Sequence, residues 1–184
     1  MPTLASTATG EHPAVYLRRP GLEDRELFLS QVVQSRALHH PFVKPPADAA
    51  AFSAYVGRCG RPDFAGLFLC RREDDALIGV FNFSQIFLSV FRSAYLGYYV
   101  FVPFARCGYM KAGLRLALRH AFNRLRLHRV EANLQPENLP SRALVQRCGF
   151  RQEGYSPRYL KIGGRWRDHE RWALLVEDFR RRGV

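Results

Sequence analysis

The chain has 184 residues, 47% hydrophobic and 24% charged, with a formal net charge of +12. This size and balance fit one globular domain with a substantial core. No apolar run approaches the ~20 residues of a membrane-spanning helix, so we expect no membrane association. The excess of arginine favours polyanionic surroundings, such as RNA, ribosomes or acidic ligands, with a solubilising surface as the alternative.

The chain ends and the cysteines set further limits. Residues 1–12 are polar and lack the pattern of a secretory signal, so we expect a disordered tail there and a single domain over residues 13–184. The cysteines are scattered and form neither a C-x-x-C pair nor a zinc ligand set. We therefore expect a cytoplasmic protein that binds no metal and whose four thiols are reduced. These thiols belong to Cys59, Cys70, Cys107 and Cys148.

The first half of the chain predicts a strand, two helices and a hairpin. AVYLRRP reads as a short strand, and apolar residues at helical spacing follow over residues 21–35. Asp48 is a suitable cap for a second helix, AAAFSAYVGRC. FAGLFLCRR and ALIGVFNFSQI are strands joined by an acidic turn, and SAYLGYYVFV is a further strand.

The stretch FVPFARCGYMKAGLRLALRHAF, residues 101–122, changes from a strand pattern to a helical one. The break falls at residues 105–108, and a helix over about residues 109–125 follows with one apolar stripe. The first backbone N–H groups of a helix have no partner inside it. A junction with a glycine and nearby cations can therefore hold an anion.

The remaining patterns complete a mixed fold. RVEANL is a short strand, and QPENLPSRALVQRCGF is a loop followed by a helix that ends at Gly149. Residues 150–174 read as two or three strands turning at Gly163–Gly164, and residues 177–184 as a polar, basic tail. The order predicts a single α/β (α+β) domain, with a mixed sheet flanked by about four helices.

Several segments resemble the GCN5-related N-acetyltransferase (GNAT) superfamily, and more closely its ribosomal-protein-alanine N-acetyltransferase branch. They are YLGYYV, CGYMKAGLRLAL, HRVEANLQPENLPSRALVQRCGFRQEGY and YLKIGGRWRDH. The resemblance is strong over residues 95–173 and extends to residues 15–85 in general order only. It implies the GNAT fold, with a central sheet of six to seven strands splayed in the middle.

By this resemblance, backbone amides of the loop at residues 105–108 cradle the pyrophosphate of acetyl-CoA. The candidate binding residues are Arg106, Cys107, Gly108, Tyr109, Met110 and Lys111. The family pattern, Gln/Arg-x-x-Gly-x-Gly/Ala, is only partly kept: Gly108 remains, whereas Ala105, Arg106 and Met110 replace the other characteristic residues. Arg106 either crowds the loop or pairs with a phosphate. The alternative to retained cofactor binding is a weakened or lost site.

The resemblance also implies that the pantetheine arm pairs like an added strand with backbone near Phe101 and Val102. A backbone N–H near Tyr99 or Val100 would meet the thioester oxygen, on which negative charge grows during amine attack. The ordinary alternative is a core strand, and one strand can serve both purposes.

Two motifs complete the implied site. Asn138 would order its loop and contact the pantetheine region, and Asn133 would line the cleft. Ser141 would protonate the departing thiolate; the alternatives are a helix cap at Ser141 and a tyrosine as the acid. Glu131 would line the cleft or pair with an arginine.

The acceptor amine must be neutral to attack. At pH 7, deprotonation costs about 1 kcal/mol for an α-amine and about 4.6 kcal/mol for lysine, which favours a protein N-terminus. The base is not evident, because Arg158 stands where relatives often carry a carboxylate. We expect Asp168 either to lie in the cleft or to pair with Arg165 or Arg167. The remaining candidate bases, all near the C-terminal end of the chain, are Glu153, Asp168, His169 and Glu170.

The sequence therefore predicts an acetyl-CoA-dependent N-acetyltransferase that acts on an amine. The preferred acceptor is the N-terminal α-amine of a ribosomal or other protein. The basic surface would assist association with ribosomes or rRNA. One alternative is an acetyltransferase for a small-molecule amine. Another is a non-catalytic CoA- or RNA-associated GNAT-like module. Monomer and homodimer both remain open.

Overall fold

The computed structural model describes residues 14–182, so the tail predicted at residues 1–12 lies outside the described residues. The described residues form seven strands: β1 (Val15–Arg18), β2 (Phe64–Arg71), β3 (Leu77–Phe87), β4 (Ser93–Val100), β5 (Arg129–Leu134), β6 (Arg151–Ile162) and β7 (Arg165–Leu175). They also form six α-helices: α1 (Arg25–Gln34), α2 (Arg36–His39), α3 (Ala49–Arg58), α4 (Tyr109–Arg119), α5 (Leu139–Arg147) and α6 (Val176–Arg181).

All seven described strands join one mixed sheet. Its spatial order is β1-β2-β3-β4-β5-β7-β6. Neighbouring strands are antiparallel except β4 and β5, which are parallel. Parallel neighbours need a long crossover connection, and α4 lies in the one that links β4 to β5. The prediction of a single domain with a mixed sheet of six to seven strands is confirmed.

The two parallel strands separate soon after they begin to pair. The register joins Ser93–Tyr95 of β4 to Arg129–Glu131 of β5 and extends no further. Beyond it, β4 stays paired with β3, and β5 stays paired with β7. The sheet is therefore splayed in the middle, as the family resemblance implied, and two unpaired strand edges face each other.

Helices pack on both faces of the sheet. Phe68 of β2 stacks on Phe28 of α1 with ring centroids 5.6 Å apart. The next residue, Leu69, points to the opposite face and packs against Gly113 of α4. A Cβ on Gly113 would lie 2.5 Å from a methyl group of Leu69, so glycine lets α4 lie close to the sheet. This contact sets how closely α4 packs on β2.

Local signals at the helix and strand ends are confirmed. Asp48 accepts a hydrogen bond from the Ala51 N–H at 2.8 Å and caps α3. Gly149 follows α5 in the left-handed region, with φ of +97°. Gly163 and Gly164 turn the chain between β6 and β7 with φ of +58° and +82°.

The structure differs from the prediction at three helical segments. Neither α2 nor α6 was expected, and residues 176–181 are a helix instead of part of a tail because Phe179 is buried against Phe122, with ring centroids 5.1 Å apart. The helix predicted to about residue 125 changes to a wider π-helical turn at His120–Arg124. None of the described helices is long and apolar enough to span a membrane.

Candidate active site

The gap between β4 and β5 opens into a cleft of about 490 Å³. Leu96–Val100 of β4 line one side, and Asn133 and Leu134 at the end of β5 line the other. The junction before α4, the first turns of α5, and α2 with the segment after it supply the remaining walls. The cleft therefore lies where two strand edges and two helix starts meet.

The turn before α4 presents backbone N–H groups to this cleft. Gly108 precedes the helix with φ of +81°, and Arg106 is also left-handed, with φ of +63°. Successive N–H groups in such a turn form a concave anion site. Within residues 14–182, the amides of Gly108, Tyr109 and Met110 make no hydrogen bond, and the first one in the helix joins Lys111 N–H to Gly108 O at 3.1 Å. The turn can therefore offer several donors to one anion.

The turn is open where a ligand would approach. A Cβ on Gly108 would have no atom within 4 Å, so neither Arg106 nor Met110 fills this space. Four of the six predicted pyrophosphate residues line the cleft: Arg106, Gly108, Met110 and Lys111. The other two direct their side chains elsewhere, since the Cys107 thiol donates to Ala105 O at 3.4 Å and the Tyr109 hydroxyl accepts from Arg71.

Phe101 and Val102 do not line the cleft, and their N–H groups are already bonded. The Phe101 N–H donates to Ile78 O of β3 at 2.9 Å, and the Val102 N–H donates to Ser35 Oγ at 3.0 Å. Backbone groups of successive strand residues point to alternate sides, so Val100 faces the gap, as does Tyr98. The backbone available for a ligand in this cleft is therefore that of Tyr98 and Val100, and not that of Phe101 and Val102 as predicted.

His39 was missed by the sequence analysis. It is buried at the end of α2 and lines the cleft, where its Nε2–H donates to Val100 O at 2.9 Å. This bond occupies one cleft-facing acceptor of β4 and leaves the Val100 N–H available. The sequence around His39, Leu-His-His-Pro, carries no spacing signal, so only tertiary structure reveals this contact.

Asn138 and Ser141 meet at the start of α5. The Asn138 side-chain oxygen accepts from the Ser141 N–H at 3.2 Å, which makes Asn138 the helix cap. Ser141 is the third residue of α5, so the alternative that Ser141 is the cap is wrong. Both residues line the cleft with Asn133, whose side-chain oxygen is buried without a partner among the described residues. Asn133 thus offers a free acceptor there.

A tyrosine adjoins Ser141. The Tyr98 hydroxyl donates to Ser141 O at 3.3 Å across the cleft wall. Burial raises the pKa of Tyr98, so the phenol keeps its proton at neutral pH. Ser141 and Tyr98 are therefore adjacent hydroxyl-bearing residues of the cleft lining.

Comparison with known proteins identifies the fold. The profile of the acetyltransferase (GNAT) domain matches residues 14–151. The chain belongs to this GNAT family. It is 37% identical over 106 residues to a probable N-acetyltransferase, YjcK, of Bacillus subtilis, covering 58% of this chain and 59% of YjcK. It is 38% identical over 120 residues to the [ribosomal protein uS5]-alanine N-acetyltransferase of Escherichia coli, covering 65% of this chain and 61% of that enzyme.

A solved GNAT structure gives the same result. Mycobacterium smegmatis RimJ in complex with CoA-disulfide superposes with a TM-score of 0.81 at 27% identity, covering 89% of this chain and 82% of RimJ. The matched segment spans about three fifths of the length of the first two curated relatives. The family, the splayed sheet and the open turn agree with the predicted GNAT fold.

The residues present fit acetyl-CoA, the acyl donor of GNAT acetyltransferases. The turn at Gly108 offers free amides where a side chain would otherwise intrude. The unpartnered Asn133 oxygen is an acceptor for an amide N–H, and the exposed β4 edge offers backbone partners. The three features lie along one cleft, as an elongated ligand with a diphosphate and two amides requires.

The carboxylates considered as bases do not line this cleft. Glu153 of β6 and Glu131 of β5 both pair with Arg129 of β5. Glu170 pairs with Arg142 at 3.0 Å and accepts from Trp172 Nε1, also at 3.0 Å. These glutamates therefore serve as partners of cations, in agreement with the alternative considered for Glu131.

Asp168 is also held by structural contacts. Its carboxylate accepts from the Tyr155 hydroxyl and from the Arg158 N–H. These hydrogen bonds keep the pKa of Asp168 below its usual value. No ion pair joins Asp168 to Arg165 or Arg167 among the described residues, so the predicted partners were wrong.

Proposed function

We propose that the protein is an acetyl-CoA-dependent N-acetyltransferase whose acceptor is the N-terminal α-amine of a ribosomal or other protein. The observation that carries this proposal is the gap between β4 and β5, which runs beside free amides at Gly108. Family membership supports the reaction type. Both chemical requirements, a diphosphate site and an open strand edge, are met within one cleft.

The residues divide the work as follows. Amides of Gly108, Tyr109 and Met110 hold the diphosphate, with Arg106 and Lys111 as nearby cations. The Val100 N–H faces the thioester oxygen, and its geometry is held by the bond from His39 to the Val100 carbonyl. When bound, acetyl-CoA would supply the activated acetyl group.

The opposite side of the cleft assists departure of the sulfur. Asn138 and Asn133 contact the pantetheine region. Ser141 donates a proton to the departing thiolate, with the Tyr98 hydroxyl next to it as the alternative donor. Both residues line the cleft, and the Tyr98 hydroxyl reaches Ser141 O.

The cleft lining favours an acceptor with a single cationic group. Among the described residues that line it, none is Asp or Glu, whereas Arg106, Lys111 and Arg147 are cations. A polyamine would meet repulsion here with no carboxylate to offset it. An α-amine loses its proton at a cost of about 1 kcal/mol at pH 7, so a modest base suffices. The name of the E. coli relative supports the same acceptor class.

The net charge supports the proposed partner, and the cysteines support the proposed location. A net charge of +12 supports association with the ribosome or rRNA, where the nascent or assembled substrate is found. The four cysteines are free, which agrees with a cytoplasmic protein.

One experiment tests the acceptor. The protein is incubated with acetyl-CoA and peptides that begin with Ala or Ser, with the same peptides blocked at the N-terminus, and with spermidine. Release of free thiol gives the rate, and mass spectrometry locates the acetyl group. We expect acetylation of the free α-amine only. Faster reaction with spermidine would establish the small-amine alternative, and absence of CoA binding by calorimetry together with tight rRNA binding would establish the non-catalytic module.

A further inference from the structure

His169 lies in the cleft as a neutral base with one open nitrogen. It is on β7, beyond the last residue with which β5 pairs, and it lines the cleft although its side chain is only 3% exposed. We propose that His169 Nε2 is the general base that accepts the proton of the acceptor amine. This inference rests on the proposed transferase function and assigns a residue to a role that the other cleft residues leave open.

Hydrogen bonding determines which nitrogen of His169 is basic. Nδ1 lies 2.9 Å from Arg167 O, and a carbonyl oxygen only accepts, so Nδ1 carries the hydrogen. Nε2 of the neutral ring then carries the lone pair. Nε2 has no hydrogen-bond partner within residues 14–182 and is not sealed from solvent. The open atom of this buried ring therefore reaches the cleft.

The other titratable residues of the lining are unsuited to this role. His39 has its Nε2–H bound to Val100 O, and its Nδ1 is buried without access. Burial raises the pKa values of Tyr98 and Tyr99, so neither phenol ionises near neutral pH. The remaining titratable residues of the lining are cations: Arg106, Lys111 and Arg147. Among the described titratable residues of the lining, His169 alone offers an accessible basic lone pair.

The surroundings keep His169 neutral. Burial lowers the pKa of His169, and this effect exceeds the opposing influence of Arg167 O, Asp168 and Glu137. Tyr159 of β6 packs against the ring with centroids 6.2 Å apart. Because the pKa lies below the ordinary value of about 6.5, the base form predominates at pH 7 and is lost only in acid.

The proton and electron balance is simple. As the amine nitrogen bonds to the acetyl carbon, one of its protons passes to His169 Nε2, directly or through one water. The bond between carbon and sulfur breaks, and its electron pair leaves with sulfur, which takes a proton from Ser141, Tyr98 or solvent. A hydroxyl that has given up its proton regains one from water. His169 then releases its proton to water. The products are the N-acetyl amide and the free thiol of CoA.

His169→Asn is the informative variant, because the asparagine amide retains a donor for Arg167 O but has no basic nitrogen. We expect kcat at pH 7 to fall by about 10²- to 10⁴-fold, with CoA affinity unchanged by calorimetry. The acidic limb that His169 contributes to the pH–rate profile should disappear. The remaining rate should rise with pH as the acceptor amine, with a pKa of roughly 7.7–8.0, loses its proton. His128→Asn is the matched control, since His128 is half exposed and pairs with Glu177 outside the cleft.

The outcomes separate the two proposals. If the native protein acetylates peptides and His169→Asn does so with the same rate and pH profile, the role of His169 is refuted and the transferase function stands. If the native protein acetylates no amine, both fall. Nitrogen NMR of the native protein gives a test that needs no variant. A hydrogen on Nε2 instead of Nδ1, or a pKa of His169 above 6.5, would refute the assignment even if the variants do not fold.

Discussion

Replacing Gly108 by alanine separates backbone strain from ligand contact. Gly108 has φ of +81°, and a Cβ there would touch nothing within 4 Å in the free protein. The folded state therefore meets no steric clash, and the cost is that of holding an L-residue in the left-handed region, about 1–2 kcal/mol. For a domain of this size that corresponds to a fall in Tm of about 2–8 °C.

The effect on ligand binding should be larger. The new methyl group would stand in the open space through which a diphosphate approaches the amides of Gly108, Tyr109 and Met110. Loss of one hydrogen bond to a charged group costs about 1.5–3 kcal/mol, which is about 10- to 100-fold in Kd. Calorimetry with CoA measures the affinity, and thermal unfolding without ligand measures the strain.

Gly164→Ala is the matched control. Gly164 has φ of +82°, and a Cβ there would also touch nothing within 4 Å, but it lies in the turn between β6 and β7 and does not line the cleft. Both variants should lose similar stability, and only Gly108→Ala should lose CoA affinity. Equal CoA affinity in the two variants would refute the claim that the turn at Gly108 holds the diphosphate.

Three further predictions concern individual contacts. Asn138→Ala should lower the free energy of unfolding by about 1 kcal/mol because the cap of α5 is lost, whereas Asn138→Asp should retain it; equal urea midpoints for the two would contradict this. Arg106→Ala and Arg106→Gly should both weaken CoA binding by about 2- to 5-fold and reduce its salt dependence, with the glycine variant about 1 kcal/mol more stable than the alanine variant because φ is +63°; unchanged binding would exclude a phosphate contact. Burial raises the pKa of Asp24, but hydrogen bonds from Arg18 at 2.6 and 2.7 Å and from the Gly21 N–H outweigh it and lower the pKa overall. Since the folded pKa is depressed, this stability is present above about pH 4 and lost as the pH falls through the folded pKa, so Asp24→Asn should cost about 1–3 kcal/mol at pH 7 and progressively less as the pH falls below about 4, by urea unfolding.

Some features of the cleft were predictable from the sequence, and others depended on the tertiary structure. The strand at residues 129–134 was predictable because alternation is a local property. The cap of α5 was not: Ser141 was the residue considered for it, whereas Asn138 caps the helix. The backbone of Phe101 was assigned to the ligand, whereas it bonds to β3. Which edge of a strand remains free depends on its register with a neighbour, and register is a tertiary property.

The sequence also could not reveal the contacts of two histidines in the cleft. His169 stood among four late candidates with nothing in the sequence to rank them. The structure favours His169 as the base for two reasons. Arg167 O orients its ring, and the carboxylates of Glu153 and Glu170 pair with arginines. His39, distant in sequence from β4, had no signal at all and bonds to Val100 only because the chain folds α2 against that strand.

The amino-acid sequence by itself determined the resemblance to the family, the order of the strands and of the four longest helices, and the glycine that turns the chain before α4. These follow from periodicity, turn chemistry and motif spacing, which involve residues near one another along the chain. Only the tertiary structure decided which strand edges stay open, which amides remain unpaired and which side chain in the cleft is a neutral base. The physical reason is that hydrogen-bond satisfaction and burial, which determine availability and pKa, depend on partners brought together from distant parts of the chain.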